Sequence, residues 1–150
     1  MTSNARVLEI VEIFADLTSN QLEQIYQICT EMLVAKGAVI VKENTPSTEI
    51  YIILEGEVEI VAEASGLAGS KERRINTLER GQSFGEVALV DEGLRSATVR
   101  SLTDNCRVLE ISRNDLFNLM KEYPEIGFKI MYNLAADICL KFRQATYKFR

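Results

Sequence analysis

Apolar positions follow three regimes along the chain. In the first third, Val7, Leu8, Val11 and Phe14 recur at helical spacing, and Leu22, Ile25, Ile28 and Met32 form a second stripe of the same period. Thr18 and Gln21 have the spacing of a capping box, so a second helix is predicted to start there and to close at Gly37. From Ala38 to Ile111 the period drops to two. Strands are predicted over residues 39–42, 49–54, 57–62, 73–78, 96–101 and 107–111, with a tight turn at Glu55-Gly56. In Glu57-Val58-Glu59-Ile60 the acids face water while Val58 and Ile60 face inward, the alternation of a sheet with one wet side. Residues 63–72 (EASGLAGSKE) are predicted to be a mobile polar loop. After Ile111 the helical period returns. Ser112 with Asp115 is a second capping box for a short helix through Met120, and Pro124 and Glu125 suit the first turn of a long one.

Many short strands between helical ends indicate a small β-barrel or jelly roll with helices attached. The expected organisation is one domain over 1–150, with N-terminal helices at 5–36, the barrel at 38–111 and C-terminal helices at 112–150. There is no internal repeat. The last helix carries two apolar stripes. Ile130, Leu134 and Ile138 form one; Phe128, Met131, Ala135, Cys139 and Phe142 form the other. One stripe packs on the barrel. The second is either buried within the monomer as well or left for a partner, a second copy of the chain included.

Length and composition fit this picture: 150 residues, 47% hydrophobic and 26% charged, make one soluble domain with a sizeable core. The net charge of −5 argues against a non-specific nucleic-acid binder. The last ten residues (KFRQATYKFR) depart from it, with four basic residues and no acid; the rest carries 13 basic and 22 acidic residues, a balance of −9. That tail is read as a solvated, frayed helix end, with contact to an anionic partner as the alternative. The absence of histidine changes the picture most. It removes Ser-His and Cys-His nucleophilic machinery and every His-ligated metal site. Cys29, Cys106 and Cys139 are far apart, as suits buried free thiols in a reducing compartment. No run approaches the roughly 18 apolar residues of a membrane span, and Glu9 and Glu12 interrupt the first apolar stretch, so neither a span nor a signal peptide is expected. The expected location is cytoplasmic.

The chemistry concentrates between Gly81 and Arg100. If Arg95 belongs to the strand that follows, it shares a face with the core-like Ala97 and Val99, and an arginine there must find an anion. Upstream, Gly85 permits close backbone approach, and Glu86-Val87-Ala88-Leu89 is long enough for one helical turn, whose unpaired N–H groups favour an anion. Glu86 at that turn would repel a phosphate, so it must do something else, such as accept a hydrogen bond from a hydroxyl beside the anion. An anion next to a hydroxyl describes a nucleotide sugar phosphate.

Phe84-Gly85-Glu86-Val87-Ala88-Leu89, five residues, then Arg95-Ser96-Ala97-Thr98-Val99 closely resembles the phosphate-binding cassette of cyclic nucleotide-binding domains. These are the sensor domains of cyclic-AMP-dependent kinase regulatory subunits, gated channels and bacterial catabolite activators. Gly37 with Val39-Ile40, Tyr51-Ile52-Ile53 and Gly56-Glu57-Val58 resemble the family's strand–turn–strand opening, and Phe14-Ala15-Asp16-Leu17-Thr18 with Leu22 its N-terminal helical segment. The resemblance implies a mainly β domain with flanking α: an eight-stranded jelly-roll barrel with N-terminal helices and a long C-terminal helix, no catalysis and no cofactor. It implies a cassette site of Phe84, Gly85, Glu86, Val87, Ala88, Arg95, Ser96 and Ala97, in which Arg95 pairs with a cyclic phosphate and Glu86 accepts the ribose 2′-hydroxyl. Backbone N–H groups near Val87–Ala88 and at Ser96 would help hold the phosphate, Ile60 and Leu78 would line the purine pocket, and part of residues 135–144 would act as a lid. Two positions depart from the family pattern. Leu94 stands where Pro often precedes the arginine, and Asn44-Thr45 replaces the usual Gly-Asp, a turn that Asn can sustain. Ser96 offers a hydroxyl where cyclic-GMP binders often have Thr, yet Ser also occurs in cyclic-AMP binders; cyclic AMP is the expected ligand and cyclic GMP the alternative.

A jelly roll built as a metal-dependent enzyme would rest largely on histidine, and none is present. Catabolite activators read DNA through a helix-turn-helix beyond the long helix; this sequence stops at Arg150, so direct DNA binding is not expected unless it is the sensor fragment of a longer transcription regulator. A third reading is a ligand-independent interaction or dimerisation module with a degenerate pocket, supported by the second stripe of the last helix.

Overall fold

The computed structural model describes residues 2–64 and 71–148. The middle of the 63–72 loop, with its expected mobility, and the last two residues of the basic tail lie outside the described residues. The chain opens with one helical turn, α1 (Ser3–Arg6), two 3-10 turns (Val7–Ile10 and Glu12–Phe14) and α2 (Ser19–Gln27). Val7, Leu8, Val11 and Phe14 are all buried, but not on one continuous helix: at Val11 the backbone turns extended, with ψ 124°. Two short 3-10 turns present the same face that the spacing assigned to a helix.

α2 starts at the expected box. Thr18 Oγ1 accepts from the Gln21 N–H (3.2 Å) and Gln21 Oε1 accepts from the Thr18 N–H (2.9 Å), a reciprocal cap that contributes about 1 kcal/mol. It stops at Gln27, well short of Gly37, and Cys29–Val34 is a strand, β1. This corrects the reading of residues 28–36 as helix. β1 pairs with the last strand in the chain, Cys106–Ser112, in unbroken register, from Cys29↔Ile111 to Val34↔Cys106. Met32 and Val34 share one strand face and pack between the sheets. Ladder pairing outranks a helical spacing that fits the same apolar residues.

The other strands are β2 (Val39–Val41), β3 (Glu49–Glu55), β4 (Glu57–Glu63), β5 (Glu72–Glu79), β6 (Ser83–Phe84), β7 (Thr98–Ser101) and β8 (Cys106–Ser112). They make two four-stranded antiparallel sheets, in the orders β1-β8-β3-β6 and β2-β7-β4-β5. The domain is mainly β with flanking helices, as expected. β3 shows how one sheet serves two cores. Ile50, Ile52 and Leu54 pack against the helices with Phe14, Leu116 and Ile130, while Tyr51 and Ile53 face the space between the sheets with Val58, Val99 and Val108. Burial on both faces explains its unbroken apolar run.

At the C-terminal end, α3 (Arg113–Glu122) begins where Ser112 Oγ accepts from the Asp115 N–H (3.0 Å). α4 (Pro124–Tyr147) follows, with Pro in its first turn. Ile126, Ile130 and Leu134 of α4 are buried, but Ile138 is 42% exposed. Of the second stripe, only Met131 packs against the core: Phe128 is 70% and Phe142 72% exposed, and Ala135 and Cys139 are exposed too. Asn133 Nδ2 donates to Ile13 O (3.1 Å) and Ala15 O (2.8 Å), which ties α4 to the N-terminal turns. The three cysteines are free; only Cys106 is fully buried and Cys139 is exposed, which corrects the expectation of three buried thiols. No helix among the described residues is long and apolar enough to cross a membrane.

Candidate functional site

After β6, Gly85 takes a left-handed conformation (φ +82°) and turns the chain into a 3-10 turn over Glu86–Leu89, where the sequence placed one helical turn. The chain then loops back to β7, which begins at Thr98 and not at residue 96. Arg95 therefore lies outside the strand, and strand parity is not what turns it inward. Its backbone is instead fastened to the turn after β2: the Asn44 N–H donates to Arg95 O (2.8 Å) and the Arg95 N–H to Thr45 O (2.7 Å). Asn44 itself adopts φ +67°, so this turn survives without glycine. So held, Arg95 is only 8% exposed. Its Nη2 donates to Glu49 O (2.8 Å), and among the described residues no carboxylate lies within ion-pair distance of it. A buried guanidinium with spare donors and no counter-charge is poised for an anion.

Arg95 borders a cavity of about 350 Å³ between β4, β5, the 3-10 turn and α4. Phe84, Gly85, Glu86, Val87, Arg95, Ser96, Ala97, Ile60 and Leu78 all line it. Ala88 does not. It is fully buried, and its N–H is spent on Gly85 O (3.0 Å), whereas the Val87 and Ser96 amides have no partner among the described residues. Val41, Ser47, Asn76, Ser83 and Lys141 are among the further residues of the wall; the first four were not singled out from sequence as its residues, and Lys141 falls in the expected 135–144 lid segment. The signal for Asn76 was available: it lies two residues before Leu78 on β5 and opposite Ile60 in the ladder, so all three share a face.

Glu86 lines the cavity together with apolar Ile60 and Leu78, with Oε2 buried and unpartnered. Burial pushes its carboxyl above the ordinary glutamate range, opposed by its own backbone N–H and by the charge of Lys141. Lys141 reaches the site from α4, where its Nζ pairs with Asp137 (2.9 Å), and a crevice of about 260 Å³ continues the cavity beneath it. Tyr51 stacks on Phe84 at 5.0 Å and donates its hydroxyl to Glu110 Oε2 (2.9 Å), which stiffens the wall behind the arginine.

A guanidinium without a carboxylate, free amides and an orphan carboxylate oxygen around one half-apolar cavity suit a small anion that also carries a hydroxyl. The chain belongs to the cyclic nucleotide-binding domain family, whose model matches residues 31–123. It is 30% identical over 97 residues to the cAMP-dependent protein kinase regulatory subunit of Schizosaccharomyces pombe, which covers 65% of this chain and 22% of that one. Among solved structures it superposes on the Thermus thermophilus catabolite activator protein with a TM-score of 0.79 at 25% identity, over 92% of this chain and 61% of that one. The regulatory domain of Toxoplasma gondii PKA, crystallised with cAMP, gives a TM-score of 0.68 at 26% identity, over 78% of this chain and 42% of that one. The chain spans less than a third of the length of the curated relatives it matches.

Proposed function

We propose that the protein is a non-catalytic sensor for a cyclic nucleotide, cyclic AMP before cyclic GMP, acting in the cytoplasm. The observation that carries this reading is the pairing, in one cavity, of the buried Arg95 with an unpartnered Glu86 oxygen. Arg95 takes the cyclic phosphate, the Val87 and Ser96 amides add to it, and Glu86 accepts the ribose 2′-hydroxyl. Ile60 and Leu78 offer apolar surface to the base. The sheet orders support reading the two sheets as the halves of a jelly roll closed at this pocket. Ligand shifts the α4 equilibrium by as much as its affinity differs between the two positions of that helix.

The test is calorimetric titration with cyclic AMP and cyclic GMP separately, on protein unfolded and refolded to strip any ligand carried through purification. Micromolar or tighter binding is expected, with cyclic AMP the tighter. No heat with either, on a folded sample, overturns the reading.

α4 also supports a second role, pairing with another copy of the chain. Phe128, Tyr132, Ala135, Cys139 and Phe142 recur alternately four and three residues apart, opposite the face that Ile126, Ile130 and Leu134 bury. Such a stripe meets its own copy in register. Its three exposed rings alone offer roughly 400 Å² of the about 800 Å² per partner in a standard interface. Sedimentation velocity at micromolar concentration is expected to show a dimer that Phe142→Glu dissolves; a monomer in the native protein overturns it.

A further inference from the structure

Two arginines stand on opposite sides of segment 46–49, which leads into β3. On the cavity side, Arg95 donates from its backbone to Thr45 O (2.7 Å) and from Nη2 to Glu49 O (2.8 Å). On the far side, Arg113, the first residue of α3, donates its N–H to Thr48 O (2.9 Å). The Arg113 guanidinium lies 4.8 Å from the centre of the Phe117 ring and pairs through Nη1 with Glu92 (2.8 Å). Its Nε is buried without a partner.

Glu92 belongs to the loop between the 3-10 turn and Arg95, and its neighbours Asp91 and Gly93 line the ligand cavity. Two walls of the cavity, the loop and segment 46–49, are thus fastened to one residue at the root of α3. Arg113 itself does not line that cavity. It borders a second crevice of about 320 Å³ with Ser47 and Glu92, which gives the segment room to shift. α3 packs in turn on α4, where a Cβ added to Gly127 would stand 3.1 Å from Met120 Cβ.

We propose that Arg113 is a positioning residue that couples the Arg95 pocket to α3 and through it to α4. An anion that takes the donors of Arg95 loosens its bond to Glu49 O and frees segment 46–49, while closure of the loop draws on Glu92. Both displacements meet at Arg113, whose ring stack and unpartnered Nε leave it a second arrangement to adopt. The ligand's identity rests on the function proposed above; the mechanical link does not.

The test is hydrogen exchange by mass spectrometry on the full chain, in two arms. Without ligand, Arg95→Ala (or Arg95→Lys, should the alanine variant not fold) is expected to change exchange in residues 114–120 by about threefold or more. In a Glu92→Gln or Arg113→Lys background that response is expected to fall by at least half. Responses that simply add overturn the coupling. With saturating cyclic AMP, residues 113–147 gain protection in the native protein and less than half as much in Glu92→Gln, whose affinity stays within about threefold. Binding with equal α3–α4 responses in both proteins overturns the coupling and keeps the function. No binding to the native protein overturns the function and leaves the ligand-free arm to judge the coupling.

Discussion

The Arg95 guanidinium lies against the backbone of Gly85: a Cβ built there would stand 2.6 Å from Nη1 and 2.9 Å from Glu49 O. The positive φ and this contact both require glycine. Gly85→Ala is expected to cost about 1–3 kcal/mol of stability and to weaken cyclic nucleotide binding by displacing the arginine. Thermal unfolding and titration of the same sample check it. Native values for both would show that the loop yields freely.

Replacing the arginine tests the site more directly. Arg95→Ala is expected to cost about 2–5 kcal/mol of binding, because the phosphate keeps its charge while losing its partner. An alanine variant that binds cyclic AMP as the native protein does would remove Arg95 from the site.

Glu86→Gln separates function from stability. Burial raises the folded-state pKa of this carboxyl, so its ionised form destabilises the fold. That cost is absent below the ordinary value of 4.5, where both states are protonated, and grows as pH rises from there through the raised value. The Gln variant is therefore expected to melt higher than the native protein at pH 7, with the difference closing toward pH 4. Its affinity for cyclic AMP is expected to drop by about tenfold, the loss of one charge-assisted hydrogen bond. Equal binding of a 2′-deoxy cyclic nucleotide by the native protein would refute the ribose role.

The cysteines give a check on burial. Desolvation pushes the Cys29 thiol up to about 12 and raises that of Cys106, whereas Cys139 is exposed on α4. At pH 8 one thiol per chain is expected to react rapidly with an alkylating reagent, and all three in denaturant. Two rapid thiols in the native protein would contradict the packing of β1 or β8.

Six of the eight strands were legible in the period-two alternation, and the two that were not failed for different reasons. β6 has only two residues, too few for any period. β1 follows a helix whose stripe its own apolar residues continue, and only its partner, nearly eighty residues away at Cys106–Ser112, decides for strand. Most of the cavity was legible because the cassette residues are contiguous in the chain. Lys141 was reached only through the expected lid over 135–144, and Ser47 not at all, because folding alone brings α4 and segment 46–49 to the same wall. Arg95 was placed correctly in the interior from a strand parity that does not exist; the turn at Asn44 does that work.

Asn133 holds two carbonyls of the N-terminal turns, Ile13 and Ala15, with one side-chain amide. α4 cannot leave its seat without either breaking both bonds or carrying those turns along. Under the proposed ligand-driven shift of α4, movement at one end of the domain is a message at both, and a protein docked on residues 12–15 would register it without ever touching α4.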